Sequence, residues 1–234
     1  MNVEIWSDVV CPWCYIGKRR FEAAAERFRE AHPDEPLDVR YRAFLLDPRA
    51  PVGESQPVRD AYARKFGGPE AADAIMARLT DEAATEGLEF HLDIAKRSNT
   101  VMAHRLLVLA DELARGEAGG NGDGDGARPD VDPELQLKLK ERFLSAYFVE
   151  GEAIGDPEVL IELSSEVGID REVARQWLES GQGRDEVADQ LEMAAGTGLG
   201  GVPTFVFDRK ISVEGAQDPN TLFLVMERAL TLGS

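Results

Sequence analysis

The 234-residue chain is 43% hydrophobic, enough for a full core, and carries a formal net charge of −18. Such a surface repels phosphate, which argues against nucleic acid and anionic membranes as partners; no apolar run approaches the roughly 20 residues of a membrane helix. Strand-like residues begin almost at Met1 with no secretory leader pattern before them, so the expected compartment is the cytoplasm.

Residues 2–7 read as a first strand. From Pro12 to about Ala31, Phe21, Ala24, Ala25 and Phe28 recur at helical spacing, and Pro33 and Pro36 end that helix. Leu37 to Leu46 alternates, with Leu37, Val39, Tyr41 and Ala43 on one face, and reads as a second strand. A strand, a long helix and a strand in this order imply a parallel pair with a right-handed crossover. From 51 to 195 nearly every periodic segment is helical, including the stripes Met102-Leu106-Leu109-Leu113 and Val187-Leu191-Ala194. Residues 116–132 form a Gly-rich acidic stretch that reads as a flexible loop. Asn121, Asp123, Asp125, Gly126 and Asp132 also fit a calcium-loop spacing, but the leading Asn, the final Asp and the internal Pro129 count against it. Thr204–Phe207 and Ile211–Glu214 form a hairpin, and Asp218 or Asn220 caps a last helix.

The order βαβ, helices, then ββα predicts an α/β thioredoxin-like fold with a large all-helical insertion. Residues 1–50 and 196–234 would form the thioredoxin-like domain and 51–195 the insertion.

The only two cysteines form Cys11-Pro12-Trp13-Cys14, between a strand and a helix. That placement is the redox motif of thioredoxin-like folds. Cys11, at the helix start, is the expected exposed, low-pKa nucleophile, because the helix N-terminus stabilises a thiolate. Cys14, one turn in, is the expected shielded resolving thiol. Pro12 suits the first turn because it lacks an N–H that would go unpaired, and Trp13 can shield the sulfurs and offer apolar surface. The competing use, half a zinc site, would need carboxylates or a second copy, since only His32, His91 and His104 remain as ligands; no metal site is assigned.

Several patches carry a family resemblance. Ser7-Asp8-Val9-Val10-Cys11-Pro12-Trp13-Cys14-Tyr15-Ile16-Gly17-Lys18-Arg19 resembles the FrnE-like branch of the DsbA family. So do Asn99-Thr100 with Ala103-His104-Arg105-Leu106, Ala146-Tyr147-Phe148-Val149-Glu150-Gly151, Gly201-Val202-Pro203-Thr204-Phe205-Val206-Phe207, and Ser212-Val213-Glu214-Gly215-Ala216-Gln217. The Gly-rich stretch departs from the pattern. The resemblance implies a cytoplasmic thiol–disulfide oxidoreductase and a cis Val202–Pro203 bond beside Cys11, with Pro203 part of the catalytic site. Val202, Pro12, Trp13 and His104 are the candidates for contacting substrate. Half-burial is the plainer use of His104, and capping or turn formation the plainer use of Asp8; an acid found six residues before the first cysteine in some relatives is replaced here by Ile5.

The expected partners are protein or small-molecule thiols and disulfides, and the oligomer, monomer or homodimer, stays open. No cofactor is called for beyond the Cys11–Cys14 disulfide, with a low-molecular-weight thiol as a further partner. Two alternatives remain: a glutathione-dependent transferase or isomerase of the kappa-class type, whose members typically carry serine at the Cys11 position, and a redox-independent chaperone or binding module. Only six of the 26 basic residues are lysine. That bias and the excess acid fit a salty cytoplasm, or alternatively an acidic protein of a GC-rich genome.

Overall fold

A computed structural model describes residues 1–53, 55–117 and 132–232. β1 (Asn2–Ser7) leads through a short loop into α1 (Pro12–Ala31), and the chain returns as β2 (Asp38–Ala43), shorter at both ends than the alternation suggests. The next segment carries β3 (Gln56–Pro57), α2 (Val58–Phe66), α3 (Pro69–Thr85), β4 (Lys96–Arg97), α4 (Val101–Arg115), α5 (Leu135–Phe148), α6 (Pro157–Glu166), α7 (Arg171–Ser180) and α8 (Arg184–Gly196). β5 (Thr204–Phe207), β6 (Ile211–Glu214) and α9 (Pro219–Thr231) complete the fold.

The main sheet has the order β2-β1-β5-β6. β1 pairs parallel to β2, from Asn2↔Asp38 to Ser7↔Ala43, and antiparallel to β5, from Val3↔Phe207 to Trp6↔Thr204. Both ends of the chain therefore build one sheet, with the strand that feeds the cysteines at its centre. One expectation needs correction. The region 51–195 is not all helical, because β3 and β4 pair antiparallel as a separate two-stranded ribbon. Two residues per strand are too few to show a period of two, so the sequence carries no mark of it.

Two apolar clusters flank α1. On the sheet side, Phe21, Ala24, Ala25 and Phe28 pack with Val3, Ile5, Phe205, Phe207 and Met226. Full burial of each large side chain contributes roughly 1.5–3 kcal/mol. The first turn of α1 belongs to the other cluster: Tyr15 and Ile16 pack among the helices, and Tyr15, Phe90 and Phe148 form a triangle of rings, with Tyr15 5.8 and 5.9 Å from the other two and those 4.4 Å apart. Helix α1 thus buries its first turn in one cluster and its middle in the other, which fixes Cys11 and Cys14 at the seam.

Charges tie the same helix to its neighbours. Lys18 Nζ meets Glu22 and Glu141, both at 2.5 Å, and Arg19 also reaches Glu141. Arg20 holds Glu82 and Glu86 of the α3 region and donates to the Ala216 carbonyl. The Gly-rich calcium-loop candidate lies outside the described residues apart from its end, where Asp132 pairs with Lys138 at 2.6 Å. No described helix is long and apolar enough to cross a membrane.

Candidate active site

Cys11 is the N-cap residue of α1 and Pro12 its first helical residue. The Cys11 carbonyl accepts from the Cys14 and Tyr15 N–H groups at 3.0 and 3.3 Å, which closes the first turn and brings both sulfurs to one end of the helix. Both cysteines are free thiols. The Cys11 thiol donates to the Val202 carbonyl at 3.6 Å. The Val202–Pro203 peptide bond is cis. The Pro203 carbonyl accepts from Gly215 N–H at 2.7 Å, so this segment is anchored to β6's far end. Gly17 lets it approach: a Cβ built there would stand 2.7 Å from Pro203 Cγ.

Cys14 interacts with Ser7, Lys140 and the Asp8 backbone. Asp8 is fully buried and satisfied on both oxygens. Its Oδ1 accepts from Val9 N–H at 2.8 Å and meets His104 Nε2 at 3.2 Å, and its Oδ2 accepts from Leu46 N–H at 2.8 Å. Burial alone would raise the Asp8 pKa, but the His104 hydrogen bond and charge, the Leu46 amide and Lys140 outweigh it and hold it below the ordinary carboxylate value.

The structure therefore brings Cys11, Cys14, Val202 and Pro203 together. Pro12 is buried and Trp13 half-buried at the same helix end. Two expectations are corrected. His104 does not line a substrate surface: it is 2% exposed and turned onto Asp8. Nor is Cys11 the exposed member of the pair. Cys11 and Cys14 are 3% and 2% exposed. The Cys11 thiol is pushed well above the ordinary value by burial, then by its hydrogen bond to Cys14 and by the Cys14 charge. At Cys14 burial acts the same way but is outweighed by the Cys11 hydrogen bond, Lys140, Ser7 and the Asp8 backbone, and its pKa falls. The two ionisations belong to the pair rather than to either sulfur.

Three neighbours escaped the sequence reading. Lys140 comes from α5 and Ser7 from the end of β1; both are buried. Tyr62 of α2 is half-buried, and desolvation together with a Cys11 charge pushes its phenol up to about 12. Only the last residue of β1 could have been flagged, by its position one residue before Asp8; the other two reach the site from distant segments.

Comparison with known proteins follows this geometry. The model of the DSBA-like thioredoxin domain matches residues 2–119 and 130–226. The chain belongs to the DsbA-like thioredoxin family. With its paired cysteines the chain is a DsbA-like thiol–disulfide oxidoreductase. It is similar to the crystal structure of a probable DsbA oxidoreductase from Streptomyces coelicolor, with 34% identity and a TM-score of 0.83 over 99% of this chain and 90% of that one. An uncharacterized protein of Bacillus subtilis, YwbO, is 24% identical over 208 residues, which is 88% of this chain and 86% of that protein. The cytosolic disulfide reductase DsbM of Pseudomonas aeruginosa, solved with GSH, shares the fold at 22% identity and a TM-score of 0.63, over 99% of this chain and 100% of that one. The family match is to the DsbA-like domain as a whole and does not single out a narrower branch.

Proposed function

We propose that this DsbA-like enzyme exchanges disulfides through Cys11, which bonds to the substrate, and Cys14, which resolves the mixed disulfide. The observation that carries this division of labour is the contact of Cys11 Sγ with the Val202 carbonyl, where an extended substrate backbone could pair as an added strand. Among the described residues, Cys14 has no such contact with that segment and interacts with buried Ser7, Lys140 and the Asp8 backbone.

Loss of one proton from the pair leaves one thiol and one thiolate. With the remaining proton on Cys14, the charge is on Cys11. Cys11 Sγ then attacks one sulfur of a substrate disulfide; a new S–S bond forms, the old one breaks, and one substrate thiolate leaves. Cys14 next loses its proton and attacks Cys11, releasing the second substrate thiolate and closing the Cys11–Cys14 disulfide. The substrate has gained two electrons and the enzyme has lost two. Run backward, the same steps oxidise a dithiol. Glutathione, or a thiol like it, is proposed as the partner that resets the pair, and the cytoplasm as the compartment. The GSH-bound cytosolic reductase of like fold supports both.

Trapping tests the assignment. Cys14→Ser should accumulate mixed disulfides with a model disulfide substrate, seen by mass spectrometry, whereas Cys11→Ser should trap almost nothing and lose exchange. Retained exchange in Cys11→Ser would overturn the proposed roles.

A further inference from the structure

Among the described residues, two buried side chains have polar atoms with no hydrogen-bond partner: Ser7 Oγ and Lys140 Nζ. Both act on the Cys14 thiol. Lys140 is 0% exposed. An ammonium group enclosed without a partner is costly, so a lone one beside reactive groups calls for a function.

The nearby carboxylates do not fill the vacancy. Asp8 already takes two backbone N–H groups and His104. Glu141, the next residue on α5, turns away to Lys18, Arg19 and Tyr15. The Tyr41 ring on β2 lies 5.3 Å from Lys140 Nζ and offers only its face. Cys14 and Cys11 of α1 remain, and Cys14 heads the groups whose charge acts on Lys140, ahead of Asp8 and Cys11, with Lys18 opposing them.

We infer that Lys140 is a positioning residue whose ammonium is the counter-charge of the active-site thiolate, so that its proton is held while the pair is reduced and released when the disulfide closes. This rests on the exchange reading above. In the reduced enzyme, burial lowers the lysine pKa to about 8 while the thiolate and Asp8 hold it up. Closing the disulfide removes the thiolate and leaves burial less opposed. The balance is complete. A thiol, a thiolate and an ammonium meet a substrate disulfide; an enzyme disulfide, a neutral amine and two substrate thiols result. Two electrons pass to the substrate, and its two protons come, through solvent, from the thiol and the ammonium.

Two measurements test this. The first follows thiolate absorbance of the reduced protein against pH, and its equilibrium with glutathione, in wild type, Lys140→Met and Lys140→Arg. Lys140→Met should raise the first thiolate pKa by about one unit. It should also shift the equilibrium about tenfold toward the disulfide, equivalent to about 30 mV. Lys140→Arg should restore most of both, because it keeps the charge. The second needs no change at Lys140: with only six lysines in the chain, side-chain NMR of uniformly labelled lysine can follow Lys140 in both redox states of the wild type. Its titration should fall on oxidation. A folded Lys140→Met protein with unchanged thiolate titration and equilibrium would overturn the inference, as would a Lys140 resonance that titrates alike in both states. Wild-type protein without any exchange activity would instead overturn the reading on which it rests.

Discussion

Gly17 offers the sharpest test of how the site is held. It lies inside α1, where alanine is ordinarily worth about 1 kcal/mol more than glycine. Here the added Cβ would meet Pro203 Cγ at 2.7 Å, with Ala216 Cβ at 3.4 Å. The proline ring cannot swing aside like the tip of a long side chain, because it is part of the backbone and its carbonyl is fixed by Gly215. Overpacking of this kind costs about 1–3 kcal/mol. Gly17→Ala should therefore lose up to about 2 kcal/mol net, lowering Tm by about 4–8 °C. Any movement of Pro203 also displaces the Val202 carbonyl from Cys11, so exchange should slow by about tenfold or more. Gly196→Ala is the control: it ends α8 with nothing within 4 Å of the built Cβ, and should be neutral or stabilising by up to about 1 kcal/mol. Thermal melts and a model disulfide assay on both variants decide the matter. A Gly17→Ala protein as stable and as fast as Gly196→Ala would refute the close contact.

Other perturbations have defined signs. The Lys140 pKa is about 8 in the folded protein against an ordinary 10.5, so the unfolded chain binds that proton more tightly. Wild-type stability should gain roughly 3 kcal/mol from this group as pH rises between those values; denaturant titrations should show Lys140→Met lacking the rise, and an equal rise in both would refute it. Asp8 has the opposite bearing. Its depressed pKa contributes stability that is present above the ordinary carboxylate value and lost as pH falls through the folded one. Asp8→Asn should cost about 1–3 kcal/mol at neutral pH and flatten the acid limb of the stability curve. If the surface is adapted to high salt, Tm should climb between low and molar sodium chloride as screening relieves the −18 charge; a flat or falling Tm would end that reading.

Local pattern made much of the frame legible. β1, α1, the β5–β6 hairpin and α9 each announce themselves through alternation, helical spacing or a cap; Asp218 accepts from the Asn220 and Thr221 N–H groups that follow it. Cys11 and Cys14 were visible for the same reason, since their spacing is local. The surroundings were not. Lys140 lies more than 120 residues from the cysteines it faces and looked like any helix lysine. His104 misled because α4 is buried on all sides from Ala103 to Ala110, so a polar residue there points at protein rather than solvent. The near-continuous apolar run that follows it was the available signal. Helix position suggested an open Cys11, but what covers a sulfur is tertiary: the Val202–Pro203 segment arrives from the far end of the chain.

The pairing of Val3 with Phe207 has a consequence for biosynthesis. The cysteines leave the ribosome well before the segment that faces them, which is made about 190 residues later. At about 5–20 residues per second this interval is roughly 10–40 s. Throughout it, β1 lacks its β5 partner, and Cys11 lacks the carbonyl it meets in the finished protein. A nascent chain therefore displays its reactive dithiol before it can enclose it, and arrival of the C-terminal hairpin both completes the sheet and removes the thiols from casual chemistry.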